Sequence, residues 1–355
     1  MRRAAALAFV AAALFLSACG QKPAGSPRYL HDECRRVAVV DAEDGKEIVG
    51  VEDLRFDAER GRLILSAYDR RAAERAARKK AEATPEGGVY VVDYASIAGA
   101  KTLAATRLVA RGALEGGLRP HGLDVDPATG RIVFINRGYF RQDGRWTMRP
   151  SVVLADSDGA VTDETPARCA ANSVSFGRRI VTTFDHARCG WRALVEEMRG
   201  AAESGVADIA GAPLFKHATY ANGIARLDHG RLALASTRDR AILVLSPEAD
   251  GTYNSLARIP VPGGPDNLTI GDRGGIIAAL HPNLFRLALQ RRLGVGSAPS
   301  RIVEIDPITK KSVLLFDDPR PRLFSGATAA VEHHGLLVAG SALDKGLLVC
   351  EAPRE

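Results

Sequence analysis

The sequence predicts an all-β fold in which β-sheet blades close into a ring around a central calcium ion, and three observations predict it. Short motifs carrying acidic, amide or imidazole side chains sit at the ends of apolar runs: Glu52-Asp53, Pro120-His121-Gly122, Asn172, Ala221-Asn222-Gly223 and Asp266-Asn267. From His121 onward they recur every 45 to 50 residues or so, roughly one four-stranded propeller blade. The segments between them are apolar strands joined by tight turns. In Asp126-Pro127-Ala128-Thr129-Gly130 the proline presets φ and the glycine supplies a positive φ before the strand Arg131–Asn136. The same grammar returns at Leu227–Gly230 and at Asp306–Lys310.

The 355 residues carry no linker rich in Pro, Ser and Gly, so one domain is expected. With 46% hydrophobic and 25% charged residues the composition is that of a globular chain and excludes wholesale disorder. Residues 1–18 read as a lipoprotein signal peptide: Arg2-Arg3, an apolar run over Ala4–Leu16, and Leu16-Ser17-Ala18-Cys19, which resembles a bacterial lipobox. The run is too short to remain as a membrane-spanning helix. An ordinary cleaved signal with an incidental cysteine is the alternative. On the lipobox reading Cys19 is lipidated, residues 19–33 are a tether and residues 34–355 form the propeller domain. The protein is then anchored in the bacterial cell envelope, and Gly20, in place of an aspartate, favours the outer membrane over the inner.

Without Arg2 and Arg3 the formal charge falls by two from +6, so the mature chain is mildly basic. Much of the excess lies in the alanine-rich segment Asp69–Glu82, ahead of the strand Gly88–Asp93. It has no aromatic residues for base stacking and reads as a solvated helix or loop, so no nucleic-acid partner is expected. Four cysteines remain after Cys19, and three pairings are formally open. Ring closure brings the first strand beside the last and selects Cys34 with Cys350, leaving Cys169 with Cys189 across a hairpin. Free buried thiols are the alternative for that second pair.

Calcium takes six to eight oxygen ligands. Glu52, Asn172, Asn222, Asp266 and Asn267 offer five side chains whose two carboxylates balance the ion's charge. Adjacent residues of a strand point to opposite sides, so Glu52 and Asp53 reach different places along the tunnel. Two segments interrupt the strand pattern, Gly190–Gly200 and Leu284–Leu293, with apolar residues at helical spacing. They follow His186 and His281 closely, which places short helical insertions on the face bearing the site. There they wall an apolar substrate pocket or pack on the rim.

Taken with Glu52-Asp53-Leu54, Pro120-His121-Gly122, Ala221-Asn222-Gly223-Ile224, Asp266-Asn267, His281-Pro282-Asn283 and Leu347–Glu351, the chain resembles the paraoxonase/arylesterase family of six-bladed propellers from about Cys34 to Glu351. A broader kinship with gluconolactonase-type propellers shares the fold and a central metal. The resemblance implies a calcium-dependent hydrolase of lactones or aryl esters. Its catalytic calcium is held by the five side chains above, and a second calcium by Asp53 and the carbonyl of Leu123. It also implies the Cys34–Cys350 disulfide and His121 as general base, with His186 and His281 near the substrate. A packed histidine is the alternative for His121. Two departures stand out: Ser173 replaces an aspartate that binds the second ion, and Arg137 replaces a second histidine. The implied chemistry is attack of water on a metal-polarised carbonyl, with no competing Gly-x-Ser-x-Gly, His-Glu-x-x-His or Cys-x-x-Cys motif in the chain. The alternative function is a non-catalytic, calcium-stabilised binding scaffold of the envelope. A sugar lactonase would require a more polar pocket.

Overall fold

The computed structural model describes residues 25–352. The signal segment, Cys19 and the start of the tether lie outside these residues. The architecture is all-β. Four antiparallel sheets of four strands occupy Pro120–Pro166, Ala171–Ala218, Ala221–Pro260 and Gly264–Asp318. A fifth, eight-stranded sheet joins the two ends of the chain. One half holds Val51–Asp57, Arg62–Ala67, Gly88–Asp93 and Thr102–Arg107. In the other, the N-terminal strand Cys34–Asp41 lies outside Leu347–Glu351, Leu336–Gly340 and Ala329–His333. Cys34–Asp41 pairs antiparallel with Leu347–Glu351 and parallel with Thr102–Arg107, so it joins the two halves.

The first strand of each four-stranded sheet and both edge strands of the eight-stranded one are inner strands. Val51–Asp57, Pro120–Val125, Ala171–Ser175, Ala221–Arg226, Gly264–Ile270 and Ala329–His333 neighbour one another in that order, and the last lies beside the first. Apolar side chains fill each gap between neighbouring sheets. Ile64, Leu123 and Phe134 pack together in one, and Ala235, Ile242 and Leu280 in another. Burying each large one contributes roughly 1.5–3 kcal/mol. The pleat explains the pattern: residues facing either neighbouring sheet are apolar, and these strands are covered on both faces.

The predicted hairpins form. Gly130, at φ 72°, donates its N–H to Asp126 O at 2.7 Å, and Lys310, at φ 61°, makes the equivalent bond to Asp306 at 2.9 Å. Helix Arg70–Arg78 forms in the alanine-rich segment Asp69–Glu82, and helices Trp191–Arg199 and Leu284–Leu293 occupy the two interrupting segments. Asp69 caps the first by accepting from Ala72 N at 2.8 Å, and Asn283 caps the third by accepting from Arg286 N at 2.9 Å. No helix among the described residues is long and apolar enough to cross a membrane.

Part of the segment 19–33, expected as a tether, contacts the sheets. Arg28 and Tyr29 already donate backbone N–H groups to Leu314 O and Leu315 O, both at 2.9 Å. Arg28 is ion-paired to Glu304 and Glu332, and the buried Tyr29 donates its hydroxyl to Glu332. An aromatic residue that buries its ring and satisfies its hydroxyl belongs to the domain.

Both disulfides are present, Cys34–Cys350 and Cys169–Cys189. Cys34 and Cys350 are also direct partners in the antiparallel ladder that closes the ring. In the chain-entropy account a loop of this length contributes up to about 5 kcal/mol. The double variant Cys34→Ser/Cys350→Ser is therefore expected to lower the urea midpoint of unfolding, and reducing Cys169–Cys189 alone to lower it less, since its shorter loop is worth about 3 kcal/mol in the same account.

Candidate functional site

Inner strands that run straight would pair all their residues with the next strand and turn alternate side chains into the intersheet cores. Here the pairing register breaks at the motifs, between Val51 and Asp53, Pro120 and Leu123, Ala171 and Val174, Ala221 and Ile224, and Pro265 and Leu268. Such bulges bend a strand and re-aim its side chains. As a result Glu52, His121, Asn172, Asn222 and Asp266, from separate inner strands, line one cavity of about 130 Å³ with His281.

Glycine makes the crowding possible. A Cβ at Gly122 would lie 2.5 Å from the Cα of Ser173, and one at Gly223 would lie 2.5 Å from the Cα of Asn267. The His121-Gly122 and Asn222-Gly223 motifs thus place a polar side chain in the cavity and press the backbone of the next inner strand against the following residue.

Several amides and carboxylates are held so that oxygens remain free. Asn267 donates its Nδ2 to the backbone O of Glu52 at 3.0 Å, and Asn172 donates Nδ2 to Asp185 Oδ2 at 3.4 Å. Asp185 Oδ1 is 2.8 Å from His186 Nδ1, so His186 acts on the site through Asp185 and Asn172. His281 Nε2 lies 2.6 Å from Asp266 Oδ2, leaving Asp266 Oδ1. The oxygens Asn222 Oδ1, Asp266 Oδ1 and Asn267 Oδ1 are buried without a hydrogen-bond partner. Unpaired buried acceptors cost about 1–3 kcal/mol each, more when charged. Hard oxygens converging beside a buried Glu52 carboxylate fit a divalent cation of the calcium type.

The second expected position is built differently. Asp53 and Leu123 do meet, but through the Leu123 N–H, which donates to Asp53 Oδ2 at 3.0 Å. Asp53 Oδ1 accepts from Leu54 N at 2.9 Å and from Arg55 Nη1 at 2.5 Å. The guanidinium of the buried Arg55 also approaches Asp124 at 3.6 Å and supplies the positive charge there. Ser173 is buried with its Oγ unpartnered. These donors do not fit a second calcium, and Arg55 carried no signal in the sequence because arginine in a strand ordinarily faces solvent.

Sequence reasoning also missed Arg70, Tyr220, Thr237, Arg238 and Thr328, all of which line the cavity. Arg70 belongs to the segment read as solvated; most of its helix is exposed or half-buried, but its first turn reaches the site. Helix Leu284–Leu293 walls the pocket with Leu284 and Leu287, whereas Trp191 and Met198 of the middle helix are 72% and 70% exposed.

The electrostatics follow from burial. Desolvation, with Asp266 nearby, pushes the Glu52 carboxyl up to about 7. Desolvation pushes Asp53 up to about 6, against the pull of Arg55. Burial first, then the charges of Arg137, Arg70 and Arg291, hold His121 well below the ordinary histidine range, so its imidazole is neutral. His121 Nδ1 lies 3.4 Å from Glu52 Oε1 without hydrogen-bonding geometry.

Raised folded values set the sign of the pH dependence. Between the ordinary 3.8 and 4.5 of Asp53 and Glu52 and their folded values of about 6 and 7, the folded chain binds more protons than the unfolded one. This stability is complete below the unfolded values and is lost as pH rises through about 6 to 7. In chelator the urea midpoint is expected to be higher at pH 5.5 than at pH 8. Added calcium reverses the order, because ligation needs ionised carboxylates. Gly223→Ala is expected to cost about 1–3 kcal/mol by overpacking and to weaken calcium binding in titration calorimetry, since it separates Asn222 from Asn267.

No protein-family model matches the chain, and no curated protein matches it in sequence. Among solved structures, a protein provisionally named a gluconolactonase aligns over 93% of this chain and 93% of its own, with a TM-score of 0.50 and 14% identity. A protein of unknown function from Bacteroides caccae covers 81% of this chain and 87% of its own, with a TM-score of 0.49 and 14% identity. A gluconolactonase from Xanthomonas campestris covers 94% and 100%, with a TM-score of 0.48 and 16% identity. At 14% identity, the first of these likenesses is one of fold, a propeller-like all-β architecture.

Proposed function

We propose that the protein is a calcium-dependent hydrolase of lactones or aryl esters, built as a six-bladed propeller and tethered to the cell envelope through Cys19. The observation that carries the hydrolase reading is the set of unpartnered buried oxygens on Asn222 and Asp266, which line an accessible cavity with Glu52 and His121, and on Asn267, next to Asp266 in the chain. Counting the eight-stranded sheet as two blades supports six. The motif resemblance to the paraoxonase/arylesterase family supports the chemistry, and the gluconolactonase-type names among the structural neighbours agree with a lactone substrate.

Glu52, Asn172, Asn222, Asp266 and Asn267 would hold the calcium, which when bound supplies Lewis-acid polarisation of an ester carbonyl and charge stabilisation of its oxyanion. The protein's own residues manage the proton. His121 is neutral, so its imidazole can take a proton from water as the hydroxide adds to the acyl carbon. The imidazolium then lies 3.4 Å from Glu52 Oε1, which stabilises it until the proton passes to the departing alkoxide. The C–O bond breaks, and the products are a carboxylate and an alcohol, joined as one hydroxy acid when the substrate is a lactone. His281 holds Asp266 in orientation through the 2.6 Å contact. Leu284, Leu287 and Leu343 exclude water from one side of the pocket.

The test is hydrolysis of a lactone and aryl-ester panel with calcium, after chelation, and in variants. Chelation is expected to abolish turnover, Asp266→Asn to lower kcat/KM at least about 100-fold, and His121→Gln to lower kcat by about 100- to 10,000-fold. A protein that is stabilised by calcium yet hydrolyses nothing on the panel would be a binding scaffold, and turnover indifferent to chelation would remove calcium from the reaction.

A further inference from the structure

The cavity is richer in positive charge than ester hydrolysis requires. Three arginines line it, Arg70, Arg238 and Arg291, and each comes from an element that lies over the inner strands. Arg238 is committed: its guanidinium donates to Glu197 O at 2.5 Å and to Glu197 Oε1 at 2.6 Å. Arg70 donates Nε to Glu74 at 3.0 Å, one turn along its own helix. Arg291 has no ion pair or hydrogen bond among the described residues. Its neighbour Arg292 turns the other way, to within 3.6 Å of Glu197. Arg291 shares one helix face with Leu284 and Leu287, three and four residues apart, which aims it into the cavity.

A second cation without an ion pair lies behind the site. Arg137 is 6% exposed, its Nε has no hydrogen-bond partner, and it makes no ion pair among the described residues. Its charge bears on Glu52, His121 and Asp185. The carboxylates at the site are already engaged. Glu52 and Asp266 would balance a divalent ion, Asp185 is paired with His186, Glu74 with Arg70 and Glu197 with Arg238. Two guanidiniums are left over. Arg137 is buried, where a cation without an ion pair is costly, and Arg291 is half-buried at the cavity; a planar carboxylate is the anion that a guanidinium fork binds best.

We propose that the substrate is a lactone or ester bearing a second, ionised carboxylate, seated on Arg291 with Arg137 adding to the attraction, while its ester carbonyl faces Glu52, Asn222 and Asp266. This assignment rests on the hydrolase reading. It names a substrate class that the apolar residues of the pocket alone do not suggest.

The experiment compares a γ-lactone carboxylic acid with the matching neutral carboxamide on the calcium-loaded protein. Two readouts run in parallel: kcat/KM for each lactone, and calorimetric binding of each ring-opened product. The acid is expected to be favoured at least about ten-fold by both readouts, equivalent to one factor of ten in the binding constant. Arg291→Gln is expected to bring the acid-to-amide ratio close to unity, Arg291→Lys to retain part of it, and the surface change Arg292→Gln to leave the ratio alone. Equal hydrolysis of both lactones would overturn the anion site and leave the hydrolase reading standing. Preferential binding of the acid that is lost in Arg291→Gln, with no turnover of either lactone, would overturn the hydrolase reading and leave the anion site. Neither binding nor turnover of either compound would overturn both.

Discussion

Everything at the cavity depends on how closely the inner strands can approach one another. A sheet normally keeps its backbones apart through side chains, and six strands crowding one axis leave little room for them. The structure meets this constraint with bulges at the motif positions and with glycine at residues 122 and 223, where even a methyl group would strike the next strand. Neighbouring strands are then locked by side chain-to-backbone bonds. Thr237 donates to Pro265 O at 2.7 Å, Thr328 to Glu52 O at 2.8 Å, and Asn267 reaches the same carbonyl. The backbone packing and the polar site are therefore one arrangement, since the residue that bonds across the ring also keeps a free oxygen in the site.

Charge is organised around the same axis in two layers. Toward the cavity, Glu52 and Asp266 face neutral amides and a neutral His121. Deeper, Asp53 is satisfied by two backbone N–H groups and by Arg55, which is itself shared with Asp124. Ser175 Oγ and Phe176 N complete the coordination of Asp124 at 3.0 and 2.8 Å, so this buried network ties three successive sheets together. An arginine so placed is permanently charged and covalently attached, so this layer keeps its positive charge whatever the supply of metal.

Much of this was legible in the sequence, for reasons visible in particular residues. The hairpins at Gly130 and Gly230 announce themselves because a positive φ and a fixed turn leave few residue choices. The motifs located five inner strands, four of them at the repeating interval, and the closure of the ring selected Cys34 with Cys350. What stayed hidden depends on contacts between distant segments. Arg70 sits in an alanine-rich run whose local pattern is that of a solvated helix, and only the fold brings its first turn over the cavity. Arg55 and Tyr29 are read locally as a surface charge and a tether residue, yet each is buried by partners far along the chain. Asp185 could have been found from its place beside His186, a carboxylate next to an imidazole.

The strand Cys34–Asp41 has a consequence for the order in which the molecule assembles. It is made early, and its parallel partner Thr102–Arg107 follows soon after, so one edge can be covered while the other waits. Its antiparallel partner, Leu347–Glu351, is the last of the described strands. An unpaired edge is a template for pairing with other chains, so the nascent protein carries an open seam until Leu347–Glu351 has been made. Thr328 and Asn267 can bond to Glu52 only after the late sheets have swung round to the early one. The full set of candidate ligands therefore comes together only in a chain whose seam has closed, which makes the cavity itself a record of finished folding.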